Sequence, residues 1–387
     1  MVIVYFAKDN TYPPPFKFYL TFYIFYGNNS AQLSKILRNF VTESSHKERK
    51  MKETLSTISK RTGVSVTTVS RVLSGQAEKY RISEATRIKV TEEAKLCHYS
   101  PNIIARNLRT SKTNTIGLIL PSVSNPYFAD LSSVIIDEAN KRNYTTIVMD
   151  SLEQEDNQAA SITTLLSRRV DGIIAAPCGH DSSLFDEVAK NHLPVILIDR
   201  FFENSQLPHV TTNNYAGGIE ATKTFLQSGH KRIACIQGAR TSIPNKMRVA
   251  GYKAAMRKAG YEDDIIVVGN EFSLQNGYLE TKLLLNRNPR PTAIFALSNA
   301  IALGTIKAIR EAGLNIPDDI SLIAYDSNIY MDFLVPPISR IGQPVEDMAK
   351  LAIKLLFESI ETNQRVNSQL ELAPKIILRE SVKNLIP

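Results

Sequence analysis

The sequence predicts an α/β protein with parallel sheets behind a small three-helix head that contains a helix-turn-helix, and three observations predict it. From Thr115 onward, short apolar runs alternate with longer amphipathic ones. Between Thr54 and Leu73, two short helical patterns are divided by one glycine. Charge is also unevenly spread: residues 51–110 hold 11 Lys and Arg against 5 Asp and Glu, whereas residues 111–387 hold 28 against 30. A basic head on a near-neutral body is the footprint of a nucleic-acid binder with a separate second domain. The 387 residues allow two or three domains, and 43% apolar with 22% charged residues is an ordinary globular balance.

Residues 1–50 do not fit this plan. They hold 11 of the 30 Phe and Tyr, crowded between Pro13 and Tyr26, and end in the polar run Thr42 to Lys50. The apolar run is about half the roughly 20 residues that span a bilayer, so no membrane partner is expected. Nor does a convincing small-residue cleavage site follow it. The expectation is an atypical extension, with translation starting at Met51 and residues 51–98 forming the DNA-binding head.

In the head, Leu55, Ile58 and Thr62 recur at helical spacing, as do Val66, Val69 and Leu73. Gly63 supplies the permissive backbone of a tight turn, and Ser65 stands where it can cap the second helix. The second helix of such a pair reaches base edges, which makes Val66, Thr67 and Arg71 the reading residues. Thr bonds a base or packs its methyl on thymine, Val only packs, and Arg pairs with guanine or a phosphate. Ser83 to Ala94 supplies the third helix. Pro101 then opens a helix of about two turns, too short to persist alone in water, which is expected to order against a partner within a hinge and linker, residues 99–114.

The body reads as strands at Thr115–Leu120, Tyr144–Met149, Gly172–Ala175, Pro194–Ile198, Arg232–Ile236, Ala293–Ala296 and Ile320–Ala324. Helices are expected at Ala129–Lys141, Gln158–Arg168, Gly218–Gln227, Val249–Lys258, Leu274–Leu285 and Ile301–Glu311. Strand and helix in alternation mean helices on both faces of the sheet, and so many strands point to two sheets. Ligands in such sheets lie beyond the strands' carboxyl ends. There stand Asp199 and Arg200, Asn299 and Asp326, with Tyr127 and Phe128 opening the first helix. Carboxylates, amides, Arg and aromatic faces are what a sugar or polyol requires.

The chain resembles the lac repressor and galactose repressor family. The residues that carry the likeness are Gly63-Val64-Ser65, Thr68 to Leu73, Tyr99 to Asn102, Ala105 to Arg109, Thr115 to Ile119 and Ser124 to Phe128, and it covers nearly everything after Met51. The resemblance implies a two-lobed, periplasmic-binding-protein-like (type I) effector-binding and dimerisation domain over residues 115–387. Its N-lobe would take residues 115–212 and a return over 327–340, its C-lobe residues 213–326, with crossings near Asn213, Asp326 and Arg340. It further implies a hinge helix that pairs with its dimer mate in the minor groove, where Leu108 levers a base step open. It adds Arg248 and Phe272 to the effector site. The expected DNA contacts are thus Thr54, Ser65, Val66, Thr67, Thr68, Ser70, Arg71, Asn102, Ala105, Leu108 and Arg109.

The function these readings imply is a repressor of a near-palindromic double-stranded DNA operator. It acts as a homodimer, under a sugar or sugar derivative bound between the lobes. No G-x-S-x-G, phosphate-cradling glycine loop or metal cluster is present, so neither catalysis nor a cofactor or metal is expected. Control by a protein co-repressor stays open, as does the remoter alternative of a sugar-binding receptor. Three scattered cysteines, Cys97, Cys178 and Cys235, suit a reducing cytoplasm. Three positions depart from the family pattern by lacking an expected carboxylate: Ser122, Asn213 and the Ser298-Asn299 pair. These departures favour a phosphorylated or anionic ligand.

Overall fold

The computed structural model describes residues 54–97, 99 and 112–386. They fall into two compact units, one ending at Asn102 and the other beginning at Ile103.

Among the described residues the first unit holds three helices, α1 (Leu55–Thr62), α2 (Val66–Leu73) and α3 (Glu84–Leu96). Thr54 and Thr57 form a capping box on α1, and Gly63 ends it at φ +66°. Ile58, Val69, Val72, Val90 and Ala94 are buried together as a small core. Val69 lies in this core and Leu73 packs against it as the sequence spacing implies, but Val66 does not. Val72 takes the inward place and Val66 is 44% exposed.

The second unit has two six-stranded sheets. One runs β11-β5-β4-β3-β1-β2, from β1 (Thr115–Leu120), β2 (Thr145–Asp150), β3 (Gly172–Ala175), β4 (Val195–Ile198), β5 (His209–Thr212) and β11 (Gln369–Leu372). The other runs β12-β10-β9-β8-β6-β7, from β6 (Ile233–Ile236), β7 (Ile266–Val268), β8 (Ala293–Ala296), β9 (Ser321–Tyr325), β10 (Ser339–Gly342) and β12 (Lys375–Ile377). All pairings are parallel except β10 with β12.

The helices cover both faces of each sheet, so the central strands are apolar along their whole length. On the N-lobe sheet, α4 (Pro126–Lys141) and α11 (Val345–Thr362) bury Leu131, Ile135, Ile353 and Leu356. On its other face, α5 (Glu155–Ser167) and α6 (Ser183–Lys190) bury Ile162, Leu165, Phe185 and Val188. The C-lobe sheet is covered by α9 (Leu274–Leu285) and α10 (Asn299–Glu311) on one face. On the other lie α7 (Asn214–Gln227) and α8 (Ile243–Lys258). These last two pack very closely: a Cβ on Gly218 would lie 2.3 Å from the Arg248 carbonyl oxygen.

The chain passes between lobes after β5, after β10 and after β11. The first passage is the expected one at Asn213, and the second falls just past Gly342, close to the crossing expected near Arg340. No crossing occurs near Asp326, and the third, after β11, was not expected. β9 pairs with β10, so the chain at Asp326 stays in the C-lobe. The return to the N-lobe is α11 and β11, not residues 327–340. A 3₁₀ turn (Ile329–Asp332) joins β9 to β10 where a covering helix would ordinarily stand. Without that helix, the pattern imitates a change of sheet.

Candidate functional site

The two sheets are built to one plan: β4 lies in the first where β9 lies in the second. Each of these strands ends in an aspartate with left-handed backbone, Asp199 at φ 64° and Asp326 at φ 78°. Non-glycine residues held there are uncommon, and such conformations concentrate at functional sites. The two carboxyls line one cavity of about 450 Å³ between the lobes, and all eight effector residues expected from sequence line it. Tyr127, Phe128, Asp199 and Arg200 come from the N-lobe; Arg248, Phe272, Asn299 and Asp326 come from the C-lobe.

The hydrogen bonds fix what this cavity offers. The Tyr127 hydroxyl donates to Asp199 Oδ1 at 2.8 Å. Gln343 Nε2 donates to Asp326 Oδ1 at 2.8 Å, and the Asn299 N–H donates to its Oδ2 at 3.3 Å. Arg248 is buried. Its Nε donates to Asn214 Oδ1 at 2.7 Å, its Nη1 donates to the Leu297 carbonyl at 2.8 Å, and its guanidinium carbon lies 3.6 Å from the Tyr325 ring centroid. Arg200 is held by both nitrogens to Glu153 at 2.7 Å, 5.8 Å from the rings of Phe128 and of Phe272. One cation thus sits between aromatic faces of the two lobes.

Burial raises the Asp199 carboxyl above its usual range, and Arg200 and then Arg248 pull it back. Asp326 is raised by the same desolvation and eased by Arg248. The Tyr127 phenol is pushed well up by burial and by Asp199, so it stays a donor. The cavity is therefore rich in acceptors, and each of its two arginines already commits two N–H donors to protein.

The family departures have the following surroundings. Asn213 does not line the cavity: it caps α7, accepting from Ala216 N–H at 2.7 Å while its amide donates to Glu371 at 2.9 Å. An aspartate there would face that carboxylate with no proton to donate. Ser298 caps α10, and the Asn299 amide donates across the cleft to Asn125 at 3.2 Å and to Asn328 at 2.6 Å. The neutral residues at 213, 298 and 299 therefore have structural partners, while Ser122, the other departure, lines the cavity with its hydroxyl 3.0 Å from that of Ser124. The sequence reading passed over Asn125, Glu153, Ser242, Tyr330 and Gln343, which also line the cavity. Asn125, Glu153 and Gln343 follow the carboxyl ends of β1, β2 and β10, where ligands of such sheets gather.

In the head, Ser65 Oγ accepts from the Thr68 N–H at 3.2 Å and lies 2.9 Å from Thr68 Oγ1, so both hydroxyls serve the start of α2. Val66 and Thr67 are exposed on its first turn, and Ser70 is half-buried. Arg71 lies 3.9 Å over the Tyr80 ring, a contact that restrains the side chain without using its N–H donors. Thr54 is exposed and occupied with its cap. The remaining expected contacts, Asn102, Ala105, Leu108 and Arg109, lie outside the described residues, as does the extension 1–50. Among the described residues no cluster could hold a metal ion, and no helix is long and apolar enough to cross a membrane.

Residues 54–102 match the family model described as bacterial regulatory proteins, lacI family. Residues 113–336 match the model of periplasmic binding proteins and the sugar binding domain of the LacI family. The chain is 33% identical over 339 residues to the HTH-type transcriptional regulator DegA of Bacillus subtilis, covering 87% of this chain and 99% of that protein. It is 31% identical to a ribose operon repressor of Haemophilus influenzae, over 86% of this chain and 99% of the relative. Among solved structures, a lac repressor dimer bound to operator and an anti-inducer superposes with a TM-score of 0.76 at 23% identity. That match covers 86% of this chain and 99% of the other and shows likeness of fold. A LacI-family regulator from Enterococcus faecium with bound ribose gives a TM-score of 0.65 at 29% identity, over 70% and 99%.

Proposed function

The chain belongs to the LacI family of bacterial regulatory proteins, which makes it a DNA-binding transcriptional repressor with a small-molecule effector, not an enzyme, and from that premise we propose that the effector is a neutral, polyhydroxylated sugar held between the lobes. The observation that carries this reading is the acceptor-rich cavity. Asp199 and Asp326 face it from opposite lobes, while Arg200 and Arg248 are engaged by Glu153, Asn214 and the Leu297 carbonyl. Hydroxyls satisfy carboxylates at close range, and a phosphate would meet two buried negative groups instead.

The division of labour follows. Residues 51–98 hold operator DNA, with Val66, Thr67 and Arg71 at base edges and Thr54, Ser65, Thr68 and Ser70 near the backbone. Residues 99–114 form the hinge, in which Leu108 is the minor-groove wedge and Asn102, Ala105 and Arg109 add contacts. The body dimerises, so that two heads meet a near-palindromic operator. Ile329, Phe333 and Val335, which are 76–81% exposed on one segment, suit a self-association surface. Sugar in the cleft fixes the angle between the lobes, and so the fraction of dimers whose hinges can pair.

The test is a thermal-shift screen of the full chain against neutral pentoses and hexoses, their phosphates, sugar acids and nucleobases. A neutral sugar at a hundred times its Kd stabilises by about 2.7 kcal/mol, or roughly 5–10 °C. Sugar phosphates should leave Tm unmoved. A phosphate that stabilises where its parent sugar does not overturns the reading.

A further inference from the structure

Behind Arg200 lies a second chamber. It is about 160 Å³, far above the roughly 10–15 Å³ that holds one water, and is lined by Cys178 and Phe201 of the N-lobe and by Ala239, Thr241, Ile243 and Glu271 of the C-lobe, among others. Glu153, Arg200, Ser242 and Phe272 line both this chamber and the main cavity, so they are the partition between them.

Two features mark the partition as more than a wall. Leu152 and Glu153 are consecutive non-glycine residues with left-handed backbone, at φ 52° and 57°. Such conformations persist only where the surroundings impose them, and they recur at clamps and switches. The Ser242 hydroxyl is the second: the residue is 8% exposed, yet its Oγ finds no hydrogen-bond partner among the described residues. It stands at the head of α8 but does not cap it. A buried hydroxyl without a partner costs free energy, and a serine turns by one torsion to meet whatever arrives.

We propose that the two chambers are subsites of one binding site and that the effector is a disaccharide. Its second ring lies in the side chamber, past the Arg200–Glu153 pair, and Ser242 hydrogen-bonds to the ligand where it passes between them. Phe272 offers an aromatic surface to a sugar ring's apolar side, beside Phe201, which stacks on His209 at 4.3 Å, and Thr241, Glu153 and Glu271 offer partners to its hydroxyls. The Glu153 side chain is 40% exposed while that of Arg200 is 8% exposed, so the acid can turn to water as a ring enters. This inference rests on the sugar reading of the main cavity.

Calorimetry on the full chain separates the two ideas, using the matched pairs D-glucose and cellobiose, and D-galactose and lactose, with D-ribose alongside. One disaccharide should bind at least tenfold tighter than its monosaccharide. Ala239→Phe, which fills the side chamber, should bring that disaccharide down to the monosaccharide's affinity; Thr241→Tyr fills it from the exposed rim if the first variant fails to fold. Ser242→Ala should weaken the disaccharide about tenfold without lowering the Tm of the free chain. Monosaccharides or D-ribose binding as tightly as any disaccharide overturns the two-subsite proposal alone, as does an equal loss for both members of a pair in Ala239→Phe. Binding of none of the five sugars overturns the sugar reading and the proposal with it.

Discussion

Arg248→Met is the substitution whose consequence the structure determines most fully. The arginine is 4% exposed, and the methionine keeps most of its length while removing the charge and the donors to Asn214 and Leu297. Asp326 loses the cation that eases it and Asp199 loses the second of its two, keeping Arg200; both are at 4% exposure. Removing one partner from a buried charge set costs about 3–5 kcal/mol, equivalent in a domain of this size to roughly 6–20 °C in Tm. The pH dependence gives the sharper test. Both carboxyls titrate above the usual range in the folded chain, so the folded state binds more protons than the unfolded one, and stability falls as pH rises from the ordinary carboxylate range through the folded pKa. Without Arg248 those pKa values rise further, and the fall extends to higher pH. Melting curves from pH 5 to 8 should therefore show the variant losing more Tm than the parent over that interval, with the gap narrowing at the acid end. Parallel curves would refute the argument, because they would mean that Arg248 acts by packing and hydrogen bonding alone.

Three further outcomes are expected. Arg71→Ala should reduce discrimination between operator variants by about 1–3 kcal/mol if the side chain pairs with guanine; binding titrations showing an equal loss on every sequence would assign it to phosphate. Gly218→Ala forces a methyl against the Arg248 carbonyl, where backbone cannot yield cheaply, and should cost about 1–3 kcal/mol, read as a lower denaturant midpoint at unchanged slope. Leu108→Ala should reduce DNA bending and specific affinity while sparing non-specific binding, and unchanged bending in a circular-permutation gel assay would retire the wedge.

Strands β1, β3, β4, β6, β8 and β9 were legible because they are buried and nearly all apolar, whereas β5 and β10, also buried, escaped because His, Thr, Ser and Arg break their apolar runs. The starts of the helices were not legible, apart from Leu274. The expected starts at Ala129, Gln158, Gly218, Val249 and Ile301 fall two to six residues late against Pro126, Glu155, Asn214, Ile243 and Asn299. Several of those opening turns carry cleft or capping residues such as Tyr127, Asn214, Pro244 and Asn299, and polar duty there erases the apolar period that signals a helix. Edge strands escaped for a related reason. β7 is half-buried, and β11 and β12 alternate or stay half-exposed over three or four residues, too little to stand out from loop. The eight effector residues were found through the carboxyl-end rule and the family likeness. The Arg200–Glu153 pairing was not, because nothing in sequence links a loop after β2 to the end of β4.

The last two strands also govern when the protein can be finished. β11 seals the edge of the N-lobe sheet against β5, and β12 seals the C-lobe sheet against β10, so each lobe waits for residues made after all its other strands. The head has no such dependence: its three helices and core lie within residues 54–99 and can fold while the rest is still on the ribosome. A chain interrupted before residue 369 would emerge with a folded head on a body whose sheets both lack an edge. Chains of this protein that stop there are thus candidates for rapid proteolysis, because both lobes present an unpaired sheet edge.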